Sequence, residues 1–238
     1  MAEEAVRWLQ IDPGGTYLDA TVGLGGHALA IASRLTTGRL IGLDRDAQAL
    51  AIARERLKDH ERQVTLVQTE FSKIDEVVRD LGLAPLNGVL ADLGVSSLQL
   101  DTAERGFSFR LAGPLDMRMD SDEASTAAEI VNYLAEGELA DLLYQLGEER
   151  DSRRIARSIV RARPIRDTAH LATVVAGART SWGRQKLHPA TKTFLALRIA
   201  VNRELEALAQ FLDRVPATLA PGGRWSDRDS RRDRTRRP

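Results

Sequence analysis

The sequence has no cysteine, few aromatic residues and no long apolar run. Without cysteine the chain cannot form disulfides, thiolate zinc sites, iron–sulfur clusters or a covalent thiolate intermediate. No apolar run approaches the roughly 20 residues that span a bilayer, and the N-terminus lacks the basic-then-apolar order of a secretory signal. These absences predict a soluble, cytoplasmic protein with no membrane segment and no metal site.

The chain has 238 residues, of which 43% are apolar and 29% are charged. This is enough for one domain, or for a domain that carries a smaller inserted one. The net charge of zero is unevenly distributed, because residues 224–238 contain seven Arg and three Asp. The end of the chain therefore differs in composition from everything before it.

The first half of the sequence alternates between two apolar periods. Short runs rich in Val, Ile and Leu at residues 17–22, 40–43, 64–67 and 88–93 are typical of buried strands. Helical patterns at 26–35, 46–57 and 73–81 lie between them. This alternation predicts an α/β fold with a parallel sheet that is covered by helices on both faces.

From residue 125 onward the pattern is helical. Thr126 and Glu129 have the spacing of a capping box, and further helices are predicted at 138–146, 151–163, 168–178 and 190–212, whereas residues 96–123 are loop-like. We therefore predict a sheet domain at 1–100, an all-helical insertion at 101–195, a return helix at 196–224 and an atypical tail at 225–238.

A glycine-rich turn follows the first predicted strand. Gly23 and Gly25 lead into a helix, and Asp44 ends the second strand, where a carboxylate can accept hydrogen bonds from ribose hydroxyls. The same glycines also fit a dinucleotide fingerprint, or a packing turn that binds nothing. Asp19 favours a cationic ligand such as S-adenosylmethionine, because a carboxylate beside the turn would repel a pyrophosphate.

Asp92 ends the fourth predicted strand. Open α/β sheets bind ligands beyond the carboxyl ends of their strands. We therefore expect Asp19, Asp44 and Asp92 to converge on one crevice, although any one of them could instead be a helix cap or a turn residue.

Longer motifs make the sequence recognisable. They lie at residues 25–27, 44–46, 92–101, 105–110, 113–120, 147–150, 188–194 and 198–206. In these motifs the chain resembles the bacterial small-subunit ribosomal RNA cytosine-N4 methyltransferases, over about residues 2–224. The resemblance implies a class I, Rossmann-like S-adenosylmethionine-dependent methyltransferase fold, a helical insertion that recognises RNA, and a cytosine in the decoding region of 16S rRNA as the substrate.

The resemblance also implies site residues, by matching position. S-adenosylmethionine would be bound by Gly25, Gly26, His27, Asp44, Phe71, Asp92 and Gln99. Asp92 is the best catalytic candidate, since a carboxylate can draw electron density toward the amine, although it could merely hold the cofactor. His27 could equally cap a helix, Phe71 could belong to the core, and Gln99 could be an ordinary loop amide. The absence of cysteine agrees with attack by nitrogen, because methylation of cytosine carbon 5 normally needs a thiolate adduct.

A basic helical face follows residue 149. Arginines recur there at three- and four-residue spacing, and Lys192 belongs to a second polar cluster further along the chain. We predict that both sets contact the phosphates of 16S rRNA in the small ribosomal subunit, with the first set comprising Arg150, Arg153, Arg154, Arg157 and Arg161. A solvated helix face would show the same charge pattern.

The resemblance fails at both ends of the chain. The family's short upstream segment is absent, and after residue 224 an apolar strand is expected where Arg, Asp and Ser alternate instead. We therefore predict that the C-terminal strands are missing, that the outer edge of the fourth strand is uncovered, and that stability and activity are reduced. A frameshift near codon 224 would explain the change, and a natural basic tail that binds RNA is the alternative.

Two other functions stay open on the sequence alone. A nicotinamide-dependent oxidoreductase could use the same glycine turn, although Asp19 and the lack of a recognisable hydride-transfer acid or base argue against it. A non-catalytic RNA-binding or assembly module would fit the missing strands.

Overall fold

A computed structural model describes residues 2–83, 85–178 and 188–229. The chain divides into two compact units, one formed by residues up to 96 together with those from 206 onward, the other by residues 97–205. The predicted roles of segments 1–100, 101–195, 196–224 and 225–238 stay predictions. No helix within the described ranges is long and apolar enough to cross a membrane.

The first unit contains a parallel sheet of five strands in the order β3-β2-β1-β4-β5. The strands are β1 (Thr16–Asp19), β2 (Arg39–Asp44), β3 (Val64–Gln68), β4 (Leu86–Leu93) and β5 (Leu219–Asp229). The first four confirm the strands that the apolar runs predicted. The helices of this unit are α1 (Ala2–Leu9), α2 (Gly26–Ala32), α3 (Ala47–Arg56), α4 (Ile74–Asp80) and most of α11 (Glu204–Thr218).

Alternate side chains of the central strand β1 enter two separate cores, because successive residues of a strand point to opposite faces. Tyr17 packs with Leu9 and Ile31 from the helices on one face. Leu18 packs with Ile74 and Phe211 on the other. The apolar runs of the sequence are therefore continuous rather than alternating, as expected for strands that are buried on both sides.

The prediction that no strand follows residue 224 is wrong. Residues Leu219–Asp229 form β5, which lies parallel to β4 and pairs Gly88 with Arg224 and Val89 with Trp225. The indole of Trp225 also lies edge-on to the ring of Phe211, with 6.4 Å between centroids. Strand pairing uses backbone groups that every non-proline residue carries, so an Arg/Asp/Ser-rich segment can cover the edge of β4 without an apolar signature.

The second unit is helical. Its helices are α5 (Ser97–Asp101), α6 (Ala127–Tyr133), α7 (Glu136–Gly147), α8 (Ser152–Ala162), α9 (Thr168–Ala178) and α10 (Thr191–Val201). The predicted capping box is present, since the Thr126 hydroxyl accepts from the Glu129 N–H and the Glu129 carboxylate accepts from the Thr126 N–H. The short helix α5 lies in a region that was predicted to be a loop.

The single helix predicted over residues 190–212 is two helices, α10 and α11. The break falls at Asn202 and at Arg203, which has a left-handed φ of 47°. The Asn202 side chain donates to the Met117 carbonyl at 2.7 Å and accepts from the Met119 N–H at 2.8 Å. These long-range bonds satisfy a buried loop at the point where the helix ends, and an apolar period cannot reveal them.

Candidate active site

The structure brings the three strand-end aspartates of the first unit together. Asp19 is the last residue of β1, Asp44 is the last residue of β2, and Asp92 is the penultimate residue of β4. β2 and β4 pair with β1 on its two sides, so all three carboxylates lie at the carboxyl edge of the sheet. Both Asp44 and Asp92 are close enough for their negative charges to raise the pKa of Asp19.

The glycine turn after β1 depends on left-handed backbone conformations. Gly23 has a φ of 51° and Gly25 a φ of 81°, and Gly25 is the N-cap of α2, which begins at Gly26. A Cβ at Gly25 would also lie only 3.3 Å from the Cα of Ala53 in α3. Glycine therefore allows both the turn and the close packing of α2 on α3.

Asp44 joins this turn to the neighbouring strand. Its Oδ2 accepts a hydrogen bond from the Gly23 N–H at 2.7 Å, and its Oδ1 accepts one from the Asp46 N–H at 2.9 Å. Burial raises the pKa of Asp44 above its ordinary value, while the two backbone donors act in the opposite direction. A carboxylate held in this way keeps lone pairs with which it can accept bonds from two ribose hydroxyls.

His27 and Asp92 meet on the other side of the turn. The Nδ1 of His27 lies 3.9 Å from Oδ2 of Asp92, and both side chains are partly exposed. The Asp92 N–H donates to the Thr21 hydroxyl at 2.6 Å, which fixes the end of β4 against the residue that precedes the glycines. Asp92 is thus a partly accessible carboxylate on a rigid backbone, beside an imidazole.

Asp19, which the strand pattern predicts at this crevice but which is not in the cofactor set implied by the resemblance, lies with the other two aspartates. Its side chain is fully buried, and its Oδ1 accepts from the Thr21 N–H at 3.1 Å. Its Oδ2 has no hydrogen-bond partner among the described residues. Burial and, to a smaller extent, the charges of Asp44 and Asp92 raise the pKa of Asp19 to about 7, against the opposite effect of the Thr21 N–H. A crevice with an unsatisfied buried carboxyl oxygen and two further carboxylates fits a cationic nucleoside and opposes a pyrophosphate.

Phe71 and Gln99 are the two remaining residues of the predicted cofactor set. Phe71 begins a 3-10 turn after β3 and lies edge-on to Phe211, with 5.3 Å between ring centroids. The preceding residue, Glu70, approaches the guanidinium of Arg45 at 3.5 Å, which brings the end of β3 toward the residue after Asp44. Gln99 is buried in α5, which belongs to the helical unit. Its part in cofactor binding stays a prediction.

The predicted basic face exists on α8. Ile155, Ala156 and Ile159 are buried on one side of the helix. Four exposed arginines fall within an arc of about 100° on the opposite side, and a fifth precedes the helix; together these form the arginine stripe, Arg150, Arg153, Arg154, Arg157 and Arg161. Arg157 also pairs with Glu136 at 3.3 Å. The arginine stripe is thus a cationic surface whose side chains do not pack in the core.

Two other cations of this unit have structural partners. The Nζ of Lys192 donates to the carbonyl of Glu148 at 2.7 Å, at the residue that terminates α7. The guanidinium of Arg163 donates to the carbonyls of Val131 and Leu134 at the end of α6. Both interactions suit the negative end of a helix. Lys192 therefore has a capping role in this structure, and its predicted contact with RNA stays a prediction.

Comparison with known proteins agrees with this site. The MraW methylase family matches residues 1–226. The ribosomal RNA small subunit methyltransferase H of Koribacter versatilis is 52% identical over 234 residues, which cover 94% of this chain and 74% of the relative. The protein of the same name from Solibacter usitatus is 51% identical over 224 residues, covering 94% and 78%.

These matches confirm the predicted Rossmann-like methyltransferase fold and its cofactor, S-adenosylmethionine, and they overturn the nicotinamide-dependent alternative. The acidic crevice at the ends of β1, β2 and β4 is of the kind that such a cofactor requires. The chain belongs to the MraW methylase family.

Proposed function

We propose that this protein transfers a methyl group to the exocyclic N4 amine of a cytosine in the decoding region of 16S rRNA, in the bacterial cytoplasm. The observation that carries the proposal is the grouping of Asp19, Asp44 and Asp92 around the glycine turn, in a chain 52% identical to a ribosomal RNA small subunit methyltransferase. The cytosine-N4 specificity comes from the resemblance of the longer motifs.

The cofactor would be held by groups at the carboxyl edge of the sheet. Asp44 would accept bonds from the ribose hydroxyls while it keeps the Gly23 turn in place. Phe71 would stack on adenine, supported from behind by the edge of Phe211. Gly25 and Gly26 would let the ligand approach the backbone, and His27 would bond to it beside Asp92. Gln99 belongs to the proposed set as well.

The reaction needs positioning more than it needs strong acid or base. S-adenosylmethionine supplies a methyl group that its sulfonium already activates. The exocyclic amine of cytosine is a weak nucleophile because its lone pair is delocalised into the ring, so an acceptor near the amine hydrogen raises its reactivity. Asp92 is partly exposed at the strand end and can accept that hydrogen bond, which makes it the catalytic residue of this proposal. As the bond from N4 to the methyl carbon forms, the bond from that carbon to sulfur would break, S-adenosylhomocysteine would leave, and the amine proton would pass by way of Asp92 to solvent.

RNA would be held by the arginine stripe on α8. These arginines lie on a helix whose opposite side is buried, so the fold fixes where their side chains leave the backbone. Each arginine that neutralises a phosphate releases counterions and contributes to affinity without reading sequence. The target cytosine must also be unpaired or flipped out to reach the cofactor.

The alternative of a non-catalytic module is weakened. It was favoured by missing C-terminal strands, and the first of these, β5, is present beside β4. The edge of β4, which carries Asp92, is therefore covered in the same way as in an ordinary parallel sheet.

A methyl-transfer assay tests the proposal. Small subunits from a strain that lacks this modification, and free 16S rRNA, are incubated with tritiated S-adenosylmethionine, and the RNA is digested to nucleosides. We expect N4-methylcytidine, and we expect Asp92→Asn to slow transfer about 100-fold while the cofactor still binds. Asp59→Asn, at an exposed position outside the crevice, is the matched control. Cofactor binding without transfer to either substrate would contradict the proposal.

A further inference from the structure

Tyr133 is the most exposed large hydrophobic side chain among the described residues of the helical unit. Its side chain is 83% exposed, although it lies in the last turn of the regular helix α6. Among the other described rings of this unit, Phe107 is buried, Phe109 stacks on His188 at 4.4 Å between centroids and meets Phe194 edge-on, and Tyr144 in α7 is 61% exposed. The ring of Tyr133 is open to contact by another molecule.

The residues on both sides of Tyr133 are hydrogen-bonded to the segment that follows α8. Asn132 exchanges two hydrogen bonds with Ile165, at 2.7 and 3.1 Å. The carbonyl of Leu134 accepts from the guanidinium of Arg163. These bonds place the end of α6, and Tyr133 with it, beside the turn that follows α8.

A third contact reaches the arginine stripe itself. Glu136, three residues after Tyr133, pairs with Arg157 at 3.3 Å. The segment around Tyr133 is therefore bonded to Arg157 of the stripe through Glu136, and to Arg163 and Ile165, just beyond the stripe, through Leu134 and Asn132. These bonds hold the neighbours of Tyr133 to the helix that carries the stripe, while its ring is exposed.

We propose that Tyr133 is a stacking platform for an unpaired nucleobase of the RNA that the arginine stripe binds. This inference rests on the proposed function, because it requires that the stripe binds RNA. Single-stranded RNA is recognised by cations that follow its backbone together with aromatic rings on which bases stack. Arginines alone would bind duplex and single strands alike, so Tyr133 supplies the preference for an unpaired segment.

The physical cost of this contact is small. A tyrosine has only two side-chain torsions, and the bonds from Asn132 and Leu134 already order its backbone, so little conformational entropy is lost when a base stacks on it. The ring can stack on any base, because every base has a π-face. Tyr133 should therefore add affinity without adding a sequence preference.

Binding of a fluorescein-labelled oligouridine, followed by anisotropy over a series of salt concentrations, tests the inference. Oligouridine is unstructured, so its bases are available for stacking. We expect Tyr133→Ala to weaken binding about 5- to 100-fold with an unchanged slope of log affinity against log salt, because no charge is removed. Tyr133→Phe keeps the ring and should bind as the unmodified protein does.

Arg161→Gln is the matched comparison, since it removes one charge from the stripe. Its salt slope should fall by about 0.7, whereas that of Tyr133→Ala should not. Equal affinity of Tyr133→Ala and the unmodified protein at all salt concentrations would overturn the inference, as would an equal loss for an RNA duplex, which would mean that the ring does not select unpaired bases.

The failure of the proposed function would look different. If the unmodified protein binds oligouridine weakly and without a salt slope, the RNA role of the stripe fails and this inference fails with it. If the unmodified protein binds and methylates RNA but Tyr133→Ala does so equally well, only the stacking role is lost. Because the Tyr133 ring is 83% exposed, the thermal midpoints of the variants should match, which excludes a folding defect as the cause.

Discussion

The backbone N–H of Gly23 donates a 2.7 Å hydrogen bond to Oδ2 of Asp44. This bond joins the glycine turn after β1 to the end of β2, so the loop that would approach the cofactor and the carboxylate that would bind its ribose are parts of one structure. Gly23 is left-handed at this point, with a φ of 51°. The turn is therefore arranged before any ligand arrives, which lowers the entropy lost on binding.

Removal of the Asp44 carboxylate should weaken cofactor binding through both of its roles. We expect Asp44→Ala to raise the Kd for S-adenosylmethionine about 10- to 100-fold, because hydrogen bonds to a charged group contribute about 1.5–3 kcal/mol. Asp44→Asn keeps one acceptor for the Gly23 N–H, so its Kd should lie between those of the unmodified protein and Asp44→Ala. Titration calorimetry measures the effect, with Asp59→Asn as the control. An unchanged Kd for Asp44→Ala would exclude Asp44 from the site.

Asp19 should make stability depend on pH. Its pKa is raised from 3.8 to about 7 in the folded protein, mainly by burial, so between these values the native state binds the proton more tightly than the unfolded chain does. Its contribution is complete below pH 3.8 and is lost as the pH rises through about 7, a change on the order of 4 kcal/mol. Asp19→Asn cannot ionise and should gain stability relative to the unmodified protein as the pH rises. Urea unfolding at pH 5 and at pH 8 measures the free energies of unfolding of both proteins. The same difference between the two proteins at both pH values would contradict the role of Asp19.

The same carboxyl group should release a proton when the cofactor binds. A cation in the crevice favours the carboxylate form of Asp19 and offsets the repulsion from Asp44 and Asp92. The binding enthalpy of S-adenosylmethionine at pH 6.5 should therefore differ between phosphate and imidazole buffers. The difference should be up to the difference in buffer ionisation enthalpy for about one proton. His27 and the other two aspartates lie nearby, so Asp19→Asn is needed to isolate the effect. Identical heats in both buffers for the unmodified protein would count against it.

The apolar pattern predicts β1 to β4 because each strand is buried on both faces and its side chains record that burial. The sequence of β5 has no such apolar run. Its partner is the backbone of β4, and Arg224 and Trp225 pair with Gly88 and Val89 through groups that side-chain composition does not report. Composition therefore wrongly predicted an uncovered sheet edge.

The site could be predicted in part for a similar reason. Asp44 and Asp92 stand at strand ends, and strand ends are visible in the sequence. The unsatisfied Oδ2 of Asp19 and the bond from Lys192 to the Glu148 carbonyl depend on which groups meet in the folded chain. Charge spacing alone cannot tell a lysine that caps a helix from one that is free to meet a phosphate.

Arg153 and Arg163 should have opposite effects when each is replaced by Gln. Arg153 is exposed on the arginine stripe, so its replacement should reduce the salt slope of RNA binding by about 0.7 and leave stability unchanged. Arg163 caps α6 through the Val131 and Leu134 carbonyls, so its replacement should lower the free energy of unfolding by about 2 kcal/mol and leave the slope intact. Anisotropy and urea unfolding on both variants check this. The assignment of the two roles is wrong if both variants change the same quantity.

Phe211 should couple the stability of the sheet to cofactor binding. Its fully buried ring contacts Phe71 edge-on at 5.3 Å and Trp225 at 6.4 Å between centroids. Phe211→Ala should lower the free energy of unfolding by about 3–5 kcal/mol, whereas Phe211→Leu should cost less and still remove the ring that supports Phe71. We therefore expect Phe211→Leu to weaken S-adenosylmethionine binding several-fold while the protein stays folded. Trp225→Ala loses a different ring contact of Phe211 and should lower stability without changing the Kd. Calorimetry and unfolding on the two folded variants separate these effects, and a normal Kd for Phe211→Leu would show that Phe71 needs no support from this ring.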